Sequence, residues 1–185
     1  MSAAYCRLAP GHPWHGPYHD GEYGFPAEDE ALLFERLVLE INQAGLSWLT
    51  ILQKRVAFRA AFADYEVDRV ADFGEADTAR LLADAGIVRN RLKIAAVIDN
   101  ARRIQQLRQS HGSFHAWLEA HHPRPLAGWT RLFRQNFRFT GGLIVNEFLM
   151  SLGYLPGAHE PDCPVYARIL PLAPPWARAP RADGE

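Results

Sequence analysis

From about residue 28 to residue 152, apolar positions recur at the three-to-four-residue spacing of helix faces, and strand-like alternation is scarce. The chain is therefore expected to be all-α. Leu33, Phe34, Leu37, Val38 and Ile41 form a broad apolar stripe after Pro26, a residue tolerated at or before a helix start. This stripe predicts a long first helix that also carries Glu40. Ala44 and Gly45 interrupt it, and Ser47 is placed to cap a second helix containing Trp48, Ile51 and Leu52, with helical spacing continuing through Phe58 and Phe62. Asp77 precedes a short helical run over 78–85, which Gly86 stops. Residues 87–91 then make a tight connection into a long amphipathic helix over 92–107. Two helices joined in this way form a helix-hairpin-helix. Further helices are expected over 113–121, over 126–136 and, after a Gly-Gly start, over 143–152. Seven of the thirteen prolines lie between Pro156 and Pro180, which predicts an extended strap or a partly disordered tail, with no helix of its own.

Composition narrows this picture. A chain of 185 residues that is 48% hydrophobic suits one domain whose core needs no disulfides. The expected division is a domain over 1–163, made of an N-terminal segment (1–26), a helical body (27–153) and a return segment (154–163), followed by a proline-rich tail over 164–185. Twenty basic residues against twenty-one acidic ones leave a formal charge of -1, so any nucleic-acid contact has to come from a local patch. No basic-then-apolar leader opens the chain, and no stretch approaches about 18 uninterrupted apolar residues. A cytoplasmic monomer with no membrane partner is expected.

The two cysteines, Cys6 and Cys163, read in a reducing compartment as thiols or metal ligands. His19 follows Cys6 by thirteen residues, and His159 precedes Cys163 by four in the stretch HEPDC. Together they make a Cys2His2 set, which suits tetrahedral zinc and, being closed, leaves no position for an activated water. Spacing leaves open the alternative of buried thiols and surface imidazoles.

These segments coincide with the landmarks of a known family: Cys6, YHDGEYG over 18–24, LEINQAGLSW over 39–48, DAGIVRNRLKIAAVIDNA over 84–101, FRFTG, and HEPDC. In their order and approximate spacing the chain resembles the 3-methyladenine DNA glycosylase I family. The resemblance implies a helical bundle with a helix-hairpin-helix DNA-binding element and a structural zinc held by Cys6, His19, His159 and Cys163. It implies alkylated double-stranded DNA as partner and hydrolysis of the glycosidic bond of 3-methyladenine, with Glu40 accepting hydrogen bonds from the base and Tyr18 and Trp48 supplying aromatic surface. No lysine stands in a motif position for Schiff-base chemistry, so the expected reaction is monofunctional. On sequence physics alone, Glu40 equally fits a solvated face or a buried partner of a backbone group, and Tyr18 and Trp48 fit packed core.

The hairpin admits two readings. Gly86 and the turn before the long helix are placed to aim backbone N–H groups at a phosphate, with Arg89, Arg91 and Lys93 adding charge. Alternatively the turn joins two packed helices along a solvated basic edge. Arg131, Arg134 and Arg138 are candidates to extend a DNA footprint. The chain departs from the family at Leu8, His15 and Tyr23, where Trp, Tyr and Trp are expected, at Ile41-Asn42, at Gly142-Leu143, and at Asn146 in place of a Tyr. The alternatives to a working glycosylase are a protein of this fold that binds damaged DNA without cleaving it or with altered specificity, and a protein acting on a small molecule or free nucleobase.

Overall fold

The structure is a computed structural model that describes residues 3–178. Eleven α-helices occur among these residues, with short 3-10 turns between some of them and no strand. Two short helices open the chain, α1 (Ala3–Leu8) and α2 (His15–Gly21). Both lie where the periodicity predicts nothing, because six or seven residues are too few to display a 3.6-residue repeat.

Helix α3 (Glu30–Gln43) is the axis of the molecule. Asp29 caps it by accepting a 2.8 Å hydrogen bond from the Leu32 amide. Leu33, Phe34, Leu37, Val38, Leu39 and Ile41 are all buried, so α3 is covered on every side rather than along one stripe. Helices α4 (Trp48–Ala61), α7 (Arg91–His111), α8 (Phe114–His121) and α10 (Gly142–Ser151) pack against it. Ser47 caps α4 as expected, accepting from the Thr50 amide at 3.1 Å. Between α4 and α7 lie α5 (Val67–Ala71) and α6 (Glu75–Ala83); α6 starts three residues before the expected run, with Asp77 bonding back to the Gly74 amide. Helix α9 (Leu126–Asn136) packs on α10.

The proline-rich tail departs from expectation. Residues Pro164–Ile169 form α11, followed by 3-10 turns at Leu170–Leu172 and Pro175–Ala177. Pro164 opens α11 at its first turn, where a missing N–H costs nothing. The Trp176 amide donates to the Gly153 carbonyl at 3.0 Å, and Arg178 pairs with Glu119 at 2.8 Å, so the segment is fastened to the body. The end of the expected tail, residues 179–185, lies outside the described residues.

Candidate functional site

Burying α3 on all sides draws its polar side chains inside, and each needs an account. Glu35 has one, and Arg36 has one through its Nη2 alone, its Nε and Nη1 being buried without hydrogen-bond partners. Glu22 receives Arg36 at 2.6 Å and Arg55 at 2.7 Å, while Glu35 receives Arg55 at 2.9 Å and Arg59 at 2.9 Å. This network ties α3 to α4 and to the residue that follows α2. Burial pushes the Glu22 carboxyl up, but the Arg55 and Arg36 guanidinium groups outweigh it and hold the carboxyl below its ordinary range.

Glu40 has no such partner. It is 2% exposed, and its Oε1 makes no hydrogen bond. Tyr18, on α2, is 1% exposed and Trp48, the first residue of α4, 7%; the Tyr18 hydroxyl and the Trp48 indole N–H are likewise buried without partners. The Tyr18 and Trp48 rings lie 5.1 Å apart, and the Arg36 guanidinium sits 4.7 Å from the centre of the Tyr18 ring. Burial, reinforced by the nearby charge of Glu147 and only partly offset by Arg36, pushes the Glu40 carboxyl up to about 8. Native proteins rarely leave buried polar atoms unpaired, and three together inside an aromatic enclosure describe a site shaped for a ligand with donors, acceptors and a flat π surface.

Around this trio the departures from the family pattern find definite places. Tyr23 is buried with its ring 5.6 Å from Tyr18. His15 is buried 3.3 Å from the Tyr5 hydroxyl, and the Tyr5 ring meets those of His15 and Tyr23 edge-on. Leu8 is exposed at the end of α1. Ile41 is core, Asn42 donates to the Val38 carbonyl at 2.8 Å, and Asn146 faces Met150.

The Cys2His2 candidates converge. The ligand atoms of Cys6, His19, His159 and Cys163 all lie within 4.8 Å of one another. Cys163 Sγ is 3.7 Å from His19 Nε2 and 3.7 Å from His159 Nδ1, and Cys6 Sγ is 3.8 Å from His159 Nδ1. Two thiolates and two imidazoles around a tetrahedral zinc sit about 3.6 Å apart, given metal bonds of about 2.3 and 2.0 Å, so the set fits. The outward nitrogens are engaged too: His19 Nδ1 pairs with Asp20 at 2.7 Å, and His159 Nε2 donates to the Tyr23 carbonyl at 2.7 Å. Such outer bonds fix which nitrogen faces the ion. Gly24 lets His159 come this close, for its φ is +82° and a Cβ there would meet Ala158 at 2.8 Å.

The hairpin residues divide. Arg89 and Arg91 are exposed at the connection between α6 and α7. Lys93 does not join them. It is 5% exposed, and its ammonium donates to the Asn42 carbonyl at 2.8 Å and the Ala44 carbonyl at 2.7 Å, capping the C-terminus of α3. Its position beside Ile94 on the inward face of α7 turns it from solvent, which corrects the expectation that it adds charge toward DNA. Gly86 is required sterically, since a Cβ would lie 2.8 Å from Ala57 of α4. Its own amide donates to Asp84 at 2.7 Å, and Asn90 accepts from the Leu92 and Lys93 amides, so these three donors are already engaged within the turn. Arg134 and Arg138 line one hollow together with Arg103, and Arg131 is not among its lining residues.

A family model described as methyladenine glycosylase matches residues 9–132. The chain belongs to this family. It is 35% identical over 180 residues to DNA-3-methyladenine glycosylase 1 of Escherichia coli strain K12, covering 87% of this chain and 96% of that protein. It is 30% identical over 178 residues to DNA-3-methyladenine glycosylase of Haemophilus influenzae, covering 82% of this chain and 95% of that protein. Its structure matches that of 3-methyladenine DNA glycosylase I from Staphylococcus aureus with a TM-score of 0.80 at 32% identity, over 89% of this chain and 97% of the other. A second structure, of a substituted 3-methyladenine DNA glycosylase I in complex with 3-methyladenine, matches with a TM-score of 0.79 at 32% identity, over 87% and 96%. The family span contains Tyr18, His19, Glu40, Trp48 and the hairpin; Cys6, His159 and Cys163 lie beyond it.

Three residues of the enclosure escape sequence reasoning: Tyr5, Arg36 and Glu147. Arg36 left a signal, because a charge inside the run LLFERLVLEI has to be either exposed or paired. Tyr5 and Glu147 left none, since each reaches the site only through the packing of α1 and α10.

Proposed function

We propose that the protein is a monofunctional DNA glycosylase that flips 3-methyladenine out of alkylated double-stranded DNA, hydrolyses its glycosidic bond and leaves an abasic site. The observation that carries this reading is the trio of unpartnered buried atoms on Tyr18, Glu40 and Trp48, in a chain whose relatives are named for this reaction. Methylation at N3 makes the base in DNA cationic, and the base leaves neutral, so little acid catalysis is needed. What remains is to extrude the nucleotide, tell the cationic base from adenine, and stabilise a sugar that becomes cation-like as the bond stretches.

Glu40 suits the second and third tasks. With its carboxyl raised to about 8 it is mostly protonated at neutral pH when the pocket holds no cation. A cationic base supplies the opposite charge that favours ionisation, so binding expels a proton and creates a close charge pair in a dry site. Neutral adenine brings no such charge and leaves Glu40 protonated. The faces of Tyr18 and Trp48 add about 0.5–2 kcal/mol for a cation over neutral adenine. Because all three residues are nearly inaccessible, the base has to displace aromatic packing to enter, and only a base that restores those contacts recovers the cost.

Elsewhere in the molecule, Cys6, His19, His159 and Cys163 would hold a structural zinc, which when bound supplies a link between the first helices and the return segment. Arg89 and Arg91 contact duplex phosphates. The protein acts as a cytoplasmic monomer. A second reading, binding of damaged DNA without cleavage, is favoured by the exposure of Leu8 and by His15 and Tyr23 beside Tyr5, where the resemblance leads one to expect Tyr and Trp. One assay separates the two. Under enzyme excess, DNA treated with a methylating agent should release free 3-methyladenine; a folded protein that retains the DNA and releases no base would support the second reading.

A further inference from the structure

The two thiols of the chain meet in the Cys2His2 cluster, at a separation that permits chemistry other than metal binding. Both cysteines are free. All four ligand atoms lie within 4.8 Å of one another, so the two sulfurs do too, although one comes from α1 and the other from the residue that precedes α11. His159 Nδ1 lies 3.8 Å from Cys6 Sγ and 3.7 Å from Cys163 Sγ, which sets both sulfurs around one neighbour. A disulfide needs its sulfurs about 2.05 Å apart, so at most about 2.8 Å separates the pair from a bond, a distance that a change of side-chain rotamer covers. The sulfurs are also reachable. Cys6 is partly exposed, Cys163 is 7% exposed, and both line an open hollow of about 560 Å³. A small oxidant entering that hollow meets Cys6 first.

We propose that Cys6 and Cys163 form a modification site, at which a hydroperoxide produces a disulfide that joins the same two parts of the chain as the proposed zinc. The Cys6 sulfur attacks one peroxide oxygen and the O–O bond breaks. Cys6 becomes a sulfenic acid, and the other oxygen leaves as an alcohol, or as water when the oxidant is hydrogen peroxide. The Cys163 sulfur then attacks the sulfenic sulfur, the S–O bond breaks and water leaves. The two sulfurs together give two electrons to the peroxide. The two protons that complete the departing oxygens come from the thiols, or from solvent when a metal has displaced them. A disulfide offers no thiolate to a metal, so oxidation and zinc binding exclude one another. In a reducing compartment the dithiol is the resting form, and two equivalents of a small thiol regenerate it from the disulfide. The inference rests on the meeting of the two thiols and stands apart from the zinc reading.

The test follows the reduced parent protein, either chelator-treated or zinc-loaded, after addition of hydrogen peroxide at neutral pH. Free thiols should fall from two to none, the intact mass should fall by that of two hydrogens, and peptide mapping should find Cys6 joined to Cys163 within one chain. A thiol reductant should restore both thiols. The oxidised protein should melt above the reduced, chelator-treated one, because the cross-link restricts the unfolded chain. The zinc-loaded sample should release one zinc per disulfide, read with a coloured chelator. In Cys163→Ser, held below its unfolding temperature, a dimedone label for sulfenic acid should collect on Cys6. Thiols that gain oxygen in place of a disulfide, that cross-link two chains, or that survive peroxide in the chelator-treated protein would each overturn the proposal, as would zinc retained by the oxidised chain or an unlabelled Cys6. A parent that carries no zinc and still forms the bond overturns the zinc reading alone.

Discussion

Tyr18 and His19 are neighbours on α2, yet they serve two sites built on opposite terms. His19 enters a cluster in which each of the four ligand atoms faces another and the outward imidazole nitrogens are hydrogen-bonded as well. Tyr18 enters an enclosure where its own hydroxyl, Glu40 Oε1 and the Trp48 N–H make no hydrogen bond. With a metal bound, the first arrangement would hold the chain ends together. The second leaves hydrogen-bonding capacity unmet at a cost to stability, and under the proposed function a bound base would meet it. One helix of seven residues thus carries a residue of each site.

The comparison breaks first, and most severely, at the metal cluster. Cys163→Ser should lower the melting temperature by about 10 °C, the shift expected when several kcal/mol are lost from a chain of this size. Protein that remains folded should still release base, and metal analysis of the parent should find one zinc per chain. A parent purified without chelator that contains no zinc would assign the cluster to packing instead.

Glu40→Gln should give the reverse pattern, with base release falling about a hundredfold and the melting temperature held or raised. The sign of the stability change follows from the raised carboxyl. A folded-state value of about 8 against the ordinary 4.5 means the folded protein binds this proton more tightly, so its contribution is complete below pH 4.5 and is lost as pH rises through 8. The variant should therefore gain on the parent progressively between pH 5 and 8, by about 1–4 kcal/mol at the upper end. Unfolding curves across that range check it, and a variant less stable than the parent at pH 8 would mark Glu40 as structural.

Smaller effects sharpen the contrast at the hairpin. Lys93→Met strands the Asn42 and Ala44 carbonyls at the end of α3 and should cost about 1–3 kcal/mol of stability without changing the salt dependence of DNA binding. Arg89→Gln or Arg91→Gln should leave stability unchanged, weaken binding to all duplex sequences several-fold, and reduce the slope of log affinity against log salt by about 1. A Lys93→Met variant with a reduced salt slope would return that residue to the DNA face.

The all-α class, the long axial helix and the Ser47 cap were legible from periodicity and capping chemistry, since each rests on local sequence. Helices α1, α2, α5 and α11 were not, because each is too short to repeat, and α11 begins with the proline that argued against it. The ligand set was legible only as a pattern of residue types, and convergence of residues far apart in the chain is a tertiary fact. Lys93 shows the limit most clearly. Three basic residues in five positions look alike in sequence, and only the turn of α7 decides that one of them points inward to a helix end while Arg89 and Arg91 stay in solvent.

The most direct test of the division between fastening and recognition is single-turnover release of 3-methyladenine from methylated DNA, with the parent, Glu40→Gln and Cys163→Ser compared at a temperature where all three are folded. Release that falls about a hundredfold in Glu40→Gln and stays within a few-fold of the parent in Cys163→Ser is the predicted result. Equal losses in both variants, or full release by Glu40→Gln, would contradict the account.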